Sequence, residues 1–155
     1  MHVLIVYATN SSGTRQAAEI AADVLEKKGH TVTVQRAQDT EAEHISAADF
    51  VVLGSCTWEK IMPDGKRSEG ELQQYMDDLK QRLKDQKFPG KRFAVFGLGD
   101  SSYSDFCAAA PMMEFMIHAW GGTLKAPTLK IDGFFFHLPE NRQRVKDWAD
   151  HVLSS

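Results

Sequence analysis

The segment HVLIVYATNSSGTRQAAEIAADVLEKKGH, residues 2–30, contains a strand, a loop and a helix in succession, and it decides the fold. Its first part, residues 2–8, is an almost continuous hydrophobic run, which is typical of a strand covered on both faces. Ala17, Ala21, Val24 and Leu25 then form an apolar stripe with helical spacing. The stripe ends at Gly29, a favourable C-terminal stop. The segment therefore predicts a β-loop-α unit.

The same alternation continues along the chain. Four further segments favour strands because they are rich in β-branched and aromatic residues: TVTVQRA (31–37), DFVVLG (49–54), RFAVFGLG (92–99) and GTLKAPTLKI (122–131). Three further apolar stripes predict helices: Leu72, Tyr75, Met76, Leu79 and Leu83; Met112, Met113, Met116, Ile117 and Trp120; Val145, Trp148, Ala149, Val152 and Leu153. Residues 39–48 predict only a short helix. Right-handed crossovers then give an α/β fold with a doubly wound parallel sheet, which binds ligands at the carboxyl ends of its strands.

Composition narrows the classes of function. With 155 residues, 43% hydrophobic and 25% charged, the chain fits one domain over residues 1–155. The 18 Lys and Arg against 21 Asp and Glu leave a net charge of -3, which does not favour nucleic-acid binding. No segment predicts a membrane span or a secretory leader, so we expect a cytoplasmic protein. Cys56 and Cys107 predict two free thiols, and no spacing indicates a metal site.

Three loops should meet at the ligand edge of the sheet: residues 9–14, 54–71 and 97–107. The first, TNSSGT, leads into a helix N-terminus, where free backbone N–H groups favour an anion. The hydroxyls of Thr9, Ser11, Ser12 and Thr14 could complete a cage for phosphate oxygens. GxxxxGK[ST] and GxGxxG are both absent, so the loop suits a single phosphate monoester. An ordinary Ser/Thr-rich turn with a helix cap is the alternative interpretation.

Each of the other two loops carries one large aromatic residue. Trp58 follows GSCT directly, and Tyr103 follows GDSS. Either residue alone is more typical of packing, but two aromatics flanking an anion loop indicate a slot for a flat conjugated ring. We expect that ring to be a flavin.

FGLGDSSYSDFC (96–107), the TW that follows GSC, and VYATNSSGT (6–14) resemble the short-chain type of the flavodoxin family. The resemblance extends over nearly the whole chain. It implies a flavodoxin-like fold, a doubly wound five-stranded parallel sheet with strand order 2-1-3-4-5, and FMN as the cofactor.

The resemblance also implies the cofactor-binding residues. The phosphate would be bound by Thr9, Asn10, Ser11, Ser12, Gly13 and Thr14. One ring face and its N5 edge would be lined by Thr57, Trp58 and Glu59, and Ser55 and Cys56 would also bind the cofactor. Tyr103 would stack on the other face, and the pyrimidine and dimethylbenzene side of the ring would be surrounded by Gly99, Asp100, Phe106 and Cys107. Gly97 and Leu98 would also bind the cofactor. We expect no catalytic residue and no metal ligand.

Gly13, Glu59 and Asp105, which stands where the family often has an aromatic residue, depart from the family pattern. Gly13 stands one place later than the family's phosphate-loop glycine, which predicts binding with an altered turn. Glu59 stands where the family usually has glycine, at a turn whose carbonyl reorients when the flavin is reduced. A residue other than glycine makes that reorientation harder because it requires positive φ.

The resemblance implies a low-potential carrier that shuttles one or two electrons between redox proteins, a reductase and an acceptor enzyme, without turning over a substrate. We expect a monomer. Two alternatives stay open: an FMN accessory protein dedicated to activating one enzyme, and, less favoured by the length, an NAD(P)H-dependent flavin reductase. A response-regulator receiver is disfavoured because residues 7–9 and 54–56 contain no acidic side chain.

The segment GFFFHLPE, residues 133–140, follows the fifth predicted strand and should lie at the flavin end. We expect Phe134, Phe135 and Phe136 to pack beneath the last helix, with an exposed docking patch as the alternative. Lys60, Lys66 and Arg67 could add positive charge beside the flavin for a docking reductase.

Overall fold

The computed structural model describes residues 1–9, 13–58, 63–65, 71–99 and 107–153, with Trp58 and Glu71 described by their backbone alone. The strands are β1 (His2–Ala8), β2 (Thr31–Arg36), β3 (Phe50–Trp58), β4 (Glu71–Leu72), β5 (Arg92–Gly99), β6 (Thr123–Leu124) and β7 (Leu129–Asp132). The helices are α1 (Gly13–Lys27), α2 (Ala42–Ala47), α3 (Gln74–Arg82), α4 (Ala109–Ala119) and α5 (Leu138–His151), with a 3-10 turn at Ala37–Asp39.

The principal strands form a parallel sheet in the order β2-β1-β3-β5, and both β6 and β7 pair with β5 at its far edge. β6 and β7 together are the fifth strand, so the predicted order 2-1-3-4-5 and the doubly wound α/β fold are confirmed. The two-residue strand β4 was not predicted and pairs antiparallel with the end of β3.

The continuous hydrophobic runs are explained by helices on both faces of the sheet. In β1, Val3 and Ile5 belong to the cluster that contains α1 and α5 residues, whereas Leu4 and Val6 belong to the cluster with α2, α3 and α4. All four side chains are at most 2% exposed. Each such burial contributes about 1.5–3 kcal/mol relative to an exposed side chain, so a polar residue at any of these positions would destabilise the fold.

Three boundaries differ from the sequence predictions. The predicted strand 122–131 is interrupted after Leu124, because Pro127 has no N–H to donate to a sheet ladder. β3 continues to Trp58 rather than ending at Gly54, so the first residues of the predicted second loop are strand. Leu72 lies in β4 rather than in the helical stripe that begins α3. None of the helices in the described ranges is long and apolar enough to cross a bilayer.

Candidate functional site

The candidate site lies where the carboxyl ends of β1, β3, β5 and β7 meet. A cavity of about 240 Å³ opens there and is lined by Gly13, Thr14, Cys56, Thr57, Leu98, Gly99, Gly133, Phe134, Phe135 and Phe136. The parallel sheet brings these residues together from four separate chain segments. Six of them, Gly13, Thr14, Cys56, Thr57, Leu98 and Gly99, were predicted as cofactor-binding residues.

A larger groove of about 640 Å³ lies elsewhere, between α1 and α5, and is lined by Arg15, Gln16, Glu19, Ile20, Asp23, Arg142 and Lys146. Its lining contains no strand end and no aromatic side chain. The groove is therefore a poor candidate for a flat ring with a phosphate, and the smaller cavity at the strand ends fits better.

Thr14 is the residue in the cavity whose environment points most directly to a ligand. It is 0% exposed in the first turn of α1, and its Oγ1 has no hydrogen-bond partner among the described residues. A buried hydroxyl without a hydrogen-bond partner lowers the free energy of unfolding by about 1–3 kcal/mol. Such a group in a native structure therefore indicates a missing partner, such as a ligand. The neighbouring N–H groups of the first helical turn also lack intrahelical partners. Together these donors fit a phosphate group of a cofactor such as FMN.

The end of β3 is held by hydrogen bonds on both sides. Thr57 Oγ1 accepts a bond from the backbone N–H of Ala109 at 3.2 Å, which joins β3 to the start of α4. The hydroxyl of Ser55, at 0% exposed, donates to the Cys56 carbonyl at 2.9 Å and accepts from the Gln73 N–H at 3.3 Å. Ser55 was predicted to contact the cofactor, and here it binds the backbone and does not line the cavity.

Gln73 is a residue that the sequence reasoning missed. Its side chain is 0% exposed; Nε2 donates to the Thr9 carbonyl at 3.5 Å, and Oε1 accepts from the Tyr75 N–H at 2.7 Å. Gln73 therefore connects the end of β1 to the end of β3 and caps α3. No signal in the sequence pointed to Gln73, because the predicted helical stripe begins at Leu72 and glutamine is not among the preferred N-cap residues.

Gly99 and Cys107 flank the third loop. Cys107 is 0% exposed, and its thiol lies 3.6 Å from the Gly97 carbonyl and 3.7 Å from the Ile131 carbonyl. Burial raises the pKa of the Cys107 thiol to about 11, so the sulfur stays protonated at neutral pH. Neither Cys107 nor Gly97 is among the residues that line the cavity, and a Cβ added to Gly97 would lie 3.1 Å from the Ala110 Cβ. Cys56 is half-buried and lines the cavity.

Several predicted site residues lie outside the described ranges: Asn10, Ser11, Ser12, Glu59, Asp100, Tyr103 and Phe106. The same is true of Lys60, Lys66 and Arg67. Trp58 ends β3, and its side chain is not described. Thr9 directly follows β1 at the predicted position. The two predicted faces of the ring slot therefore stay predictions.

The three consecutive phenylalanines have different environments. Phe134 is 4% exposed and packs within the core cluster of α1 and α5, as expected for packing beneath the last helix. Phe135 is 46% exposed and Phe136 is 82% exposed, so the expectation of packing is wrong for these two residues. The reason is local: Gly133, at φ +53°, starts a tight turn that buries only the first ring.

Comparison with known proteins identifies the family. The sequence profile described as Flavodoxin matches residues 5–134. The chain belongs to the flavodoxin family. A flavodoxin of Nitratidesulfovibrio vulgaris is 33% identical over 155 residues, covering 99% of this chain and 98% of that protein. The MioC homolog of Haemophilus influenzae is 30% identical, covering 99% of this chain and 97% of that protein.

Among solved structures, oxidised Flavodoxin 2 from Bacillus cereus superposes with a TM-score of 0.85 at 30% identity, covering 99% of each chain. The family and the flavodoxin-like fold predicted from the sequence are therefore confirmed. Membership of the flavodoxin family also confirms FMN as the cofactor and electron transport as the function.

Proposed function

We propose that this protein holds one FMN at the strand-end cavity as a single domain over residues 1–155 and carries electrons between a reductase and an acceptor enzyme, with no substrate turnover of its own. The observation that carries the proposal is the buried Thr14 hydroxyl, which has no partner among the described residues and lies in the first turn of α1. A phosphate oxygen there would supply the missing partner and would also be attracted by the helix N-terminus.

The chain's own residues would have three tasks. Gly13 and Thr14 would bind the phosphate through the first turn of α1, and Gln73 would hold Thr9 in place by its bond to the Thr9 carbonyl. Leu98 and Phe134 would exclude water from one wall, which strengthens the charge-assisted hydrogen bonds inside. FMN, when bound, accepts and releases one or two electrons. The protein would tune that chemistry through stacking and hydrogen bonds.

A reduction experiment separates a carrier from a flavin reductase. The FMN-loaded protein is freed of excess FMN and titrated with dithionite without oxygen while the visible flavin band is recorded. We expect reversible bleaching of about one flavin per chain. A second sample receives NADPH alone, with free FMN at the same concentration as control. Stoichiometric reduction of the bound flavin by NADPH, much faster than the reduction of free FMN, would overturn the carrier proposal, and so would failure to retain FMN.

A further inference from the structure

The segment after β7 presents two aromatic rings to solvent beside the cavity. Phe136 is 82% exposed and Phe135 is 46% exposed, and both line the cavity wall. The Cε2 of Phe135 lies 3.2 Å from the position that a Cβ on Gly13 would occupy, so this ring lies against the start of α1. Any protein that covers these rings is therefore next to the proposed FMN site.

The turn that carries these rings is fixed by hydrogen bonds. The Phe136 N–H donates to the Gly133 carbonyl at 2.9 Å, and the Gly133 N–H donates to the Gly99 carbonyl at 2.9 Å. Asn141 is 4% exposed, and its Nδ2 lies 3.1–3.4 Å from the carbonyl oxygens of Asp132, Gly133 and Phe134. The ring of Phe134 packs edge-on against Phe135, with centroids 5.3 Å apart. The backbone of this turn and the ring of Phe135 are therefore held in place before any partner binds, which lowers the entropic cost of docking.

Unpaired positive charge lies in the groove between α1 and α5. Arg15 pairs with Glu19 at 2.9 Å, and Asp23 pairs with Lys27 at 2.9 Å, so these charges are neutralised locally. Arg142 and Lys146 line the same groove and are exposed. Neither forms an ion pair with another residue in the described part of the chain. Their side of α5 is therefore locally basic, although the net charge of the whole chain is -3.

We propose that Phe135, Phe136, Arg142 and Lys146 form a docking surface for an acidic redox protein that exchanges electrons with the bound FMN. The aromatic pair would fill an apolar patch on the partner, and the two cations would face its carboxylates. The inference rests on the proposed function, because it requires FMN in the adjacent cavity. Each transfer moves one electron from the reduced flavin to the partner's metal ion, and any proton that the flavin loses on oxidation passes to solvent.

The test uses two small redox proteins of opposite charge as probes: plastocyanin, an acidic copper protein, and cytochrome c, a basic haem protein. Stopped-flow mixing with the dithionite-reduced holoprotein gives second-order rate constants, expressed per bound flavin. The charge-reversal variant is R142E/K146E, and its matched control is K80E/K84E, with Lys80 in the last turn of α3 and Lys84 in the turn after it. The aromatic variant is Phe136→Ser, and its control is Phe115→Ser, which changes a phenylalanine that is 66% exposed on α4.

We expect R142E/K146E to slow the reduction of plastocyanin by about tenfold at low salt and to lose most of that effect at about 0.5 M salt. The same variant should accelerate the reduction of cytochrome c. Phe136→Ser should slow the reduction of plastocyanin at both salt concentrations, because the contact made by the Phe136 ring is apolar and is not screened by salt. The two controls should leave both rates within a factor of two.

Three results would contradict the docking proposal, and they differ in what they imply for the carrier proposal. If the FMN-loaded wild type, R142E/K146E and Phe136→Ser all reduce plastocyanin at the same rate, the docking proposal is overturned. The carrier proposal then still stands. Wild-type protein that retains no FMN overturns both. Sedimentation identifies the remaining occupant: a wild-type dimer that becomes monomeric with Phe136→Ser would assign the surface to a second copy of this chain, against the proposal.

Discussion

The backbone of Gly99 passes so close to Cys107 that a Cβ on residue 99 would lie 2.7 Å from the Cys107 amide nitrogen and 3.1 Å from its sulfur. Cys107 itself has a φ of +51°, in the left-handed region. These two residues are the described ends of the third loop, which carries Tyr103. Their contact brings the two ends of the loop together at the edge of the cavity.

Gly99→Ala should therefore lower both stability and FMN affinity. Relief of the clash requires a backbone shift, which costs about 1–3 kcal/mol and moves the ends of the third loop. Gly122→Ala is the control, since its Cβ would lie 2.6 Å from the ring of Phe93 beside β6, away from the cavity. Urea unfolding should show that both variants are destabilised, and FMN titration should show weaker binding for Gly99→Ala alone. Unchanged FMN affinity in Gly99→Ala would mean that this contact does not shape the site.

Thr14→Val tests the role of the unpaired hydroxyl. Valine has nearly the same shape and removes a buried polar group without a protein partner, so the FMN-free protein should gain about 1 kcal/mol of stability. The same change should weaken FMN binding by about 10–100-fold, because a charge-assisted hydrogen bond to phosphate contributes about 1.5–3 kcal/mol.

Thr40→Val is the matched control for Thr14→Val. Thr40 is also 0% exposed, but its hydroxyl donates to the Arg36 carbonyl at 2.9 Å and accepts from Gln35 Nε2 at 2.8 Å. This variant should lose stability and keep the wild-type FMN affinity. Urea unfolding without FMN should show that Thr14→Val is more stable than wild type and that Thr40→Val is less stable. That result would support a Thr14 hydroxyl without a protein partner. A stability loss in Thr14→Val would indicate that its hydroxyl already has a protein partner.

The buried thiol of Cys107 should lower the free energy of unfolding at alkaline pH. Burial raises the pKa of its thiol to about 11, above the ordinary value of 9.0. The unfolded chain therefore loses this proton first as the pH rises, and the free energy of unfolding falls between about pH 9 and pH 11. The slope is at most about 1.4 kcal/mol per pH unit. Urea unfolding at pH 8 and pH 10.5 should show a smaller difference for Cys107→Ala than for wild type. Equal differences would show that the thiol titrates normally in the folded state.

Glu59→Gly tests the departure from the family pattern in the second loop. Positive φ costs a residue other than glycine about 1–2 kcal/mol, so the reorientation of this turn on one-electron reduction should be harder with Glu59. Glycine should raise the first reduction potential by about 40–90 mV. A redox titration followed by visible absorbance gives that potential. An unchanged or lower value in Glu59→Gly would show that backbone strain at this turn does not control the first electron.

The pattern of hydrophobic residues was sufficient to predict the central strands of the sheet. β1, β3 and β5 are covered by helices on both faces, so each is a continuous apolar run in the sequence. The pattern was not sufficient for the fifth strand, where Pro127 interrupts a segment that otherwise has strand composition. Gln73 could not be found from sequence, since its importance lies in contacts with Thr9 and Ser55 that are remote along the chain. Phe134 and Phe136 are equivalent by composition, and only the turn at Gly133 buries one and exposes the other.

FMN and riboflavin differ only in the phosphate that we place at the first turn of α1, so their affinities report on that contact without any mutation. Fluorescence titration of the wild-type protein measures both dissociation constants. We expect one FMN to bind per chain and riboflavin to bind at least about 100-fold more weakly, since riboflavin lacks two or more charge-assisted hydrogen bonds. Equal dissociation constants for the two flavins, or no binding of FMN, would contradict this placement of the phosphate.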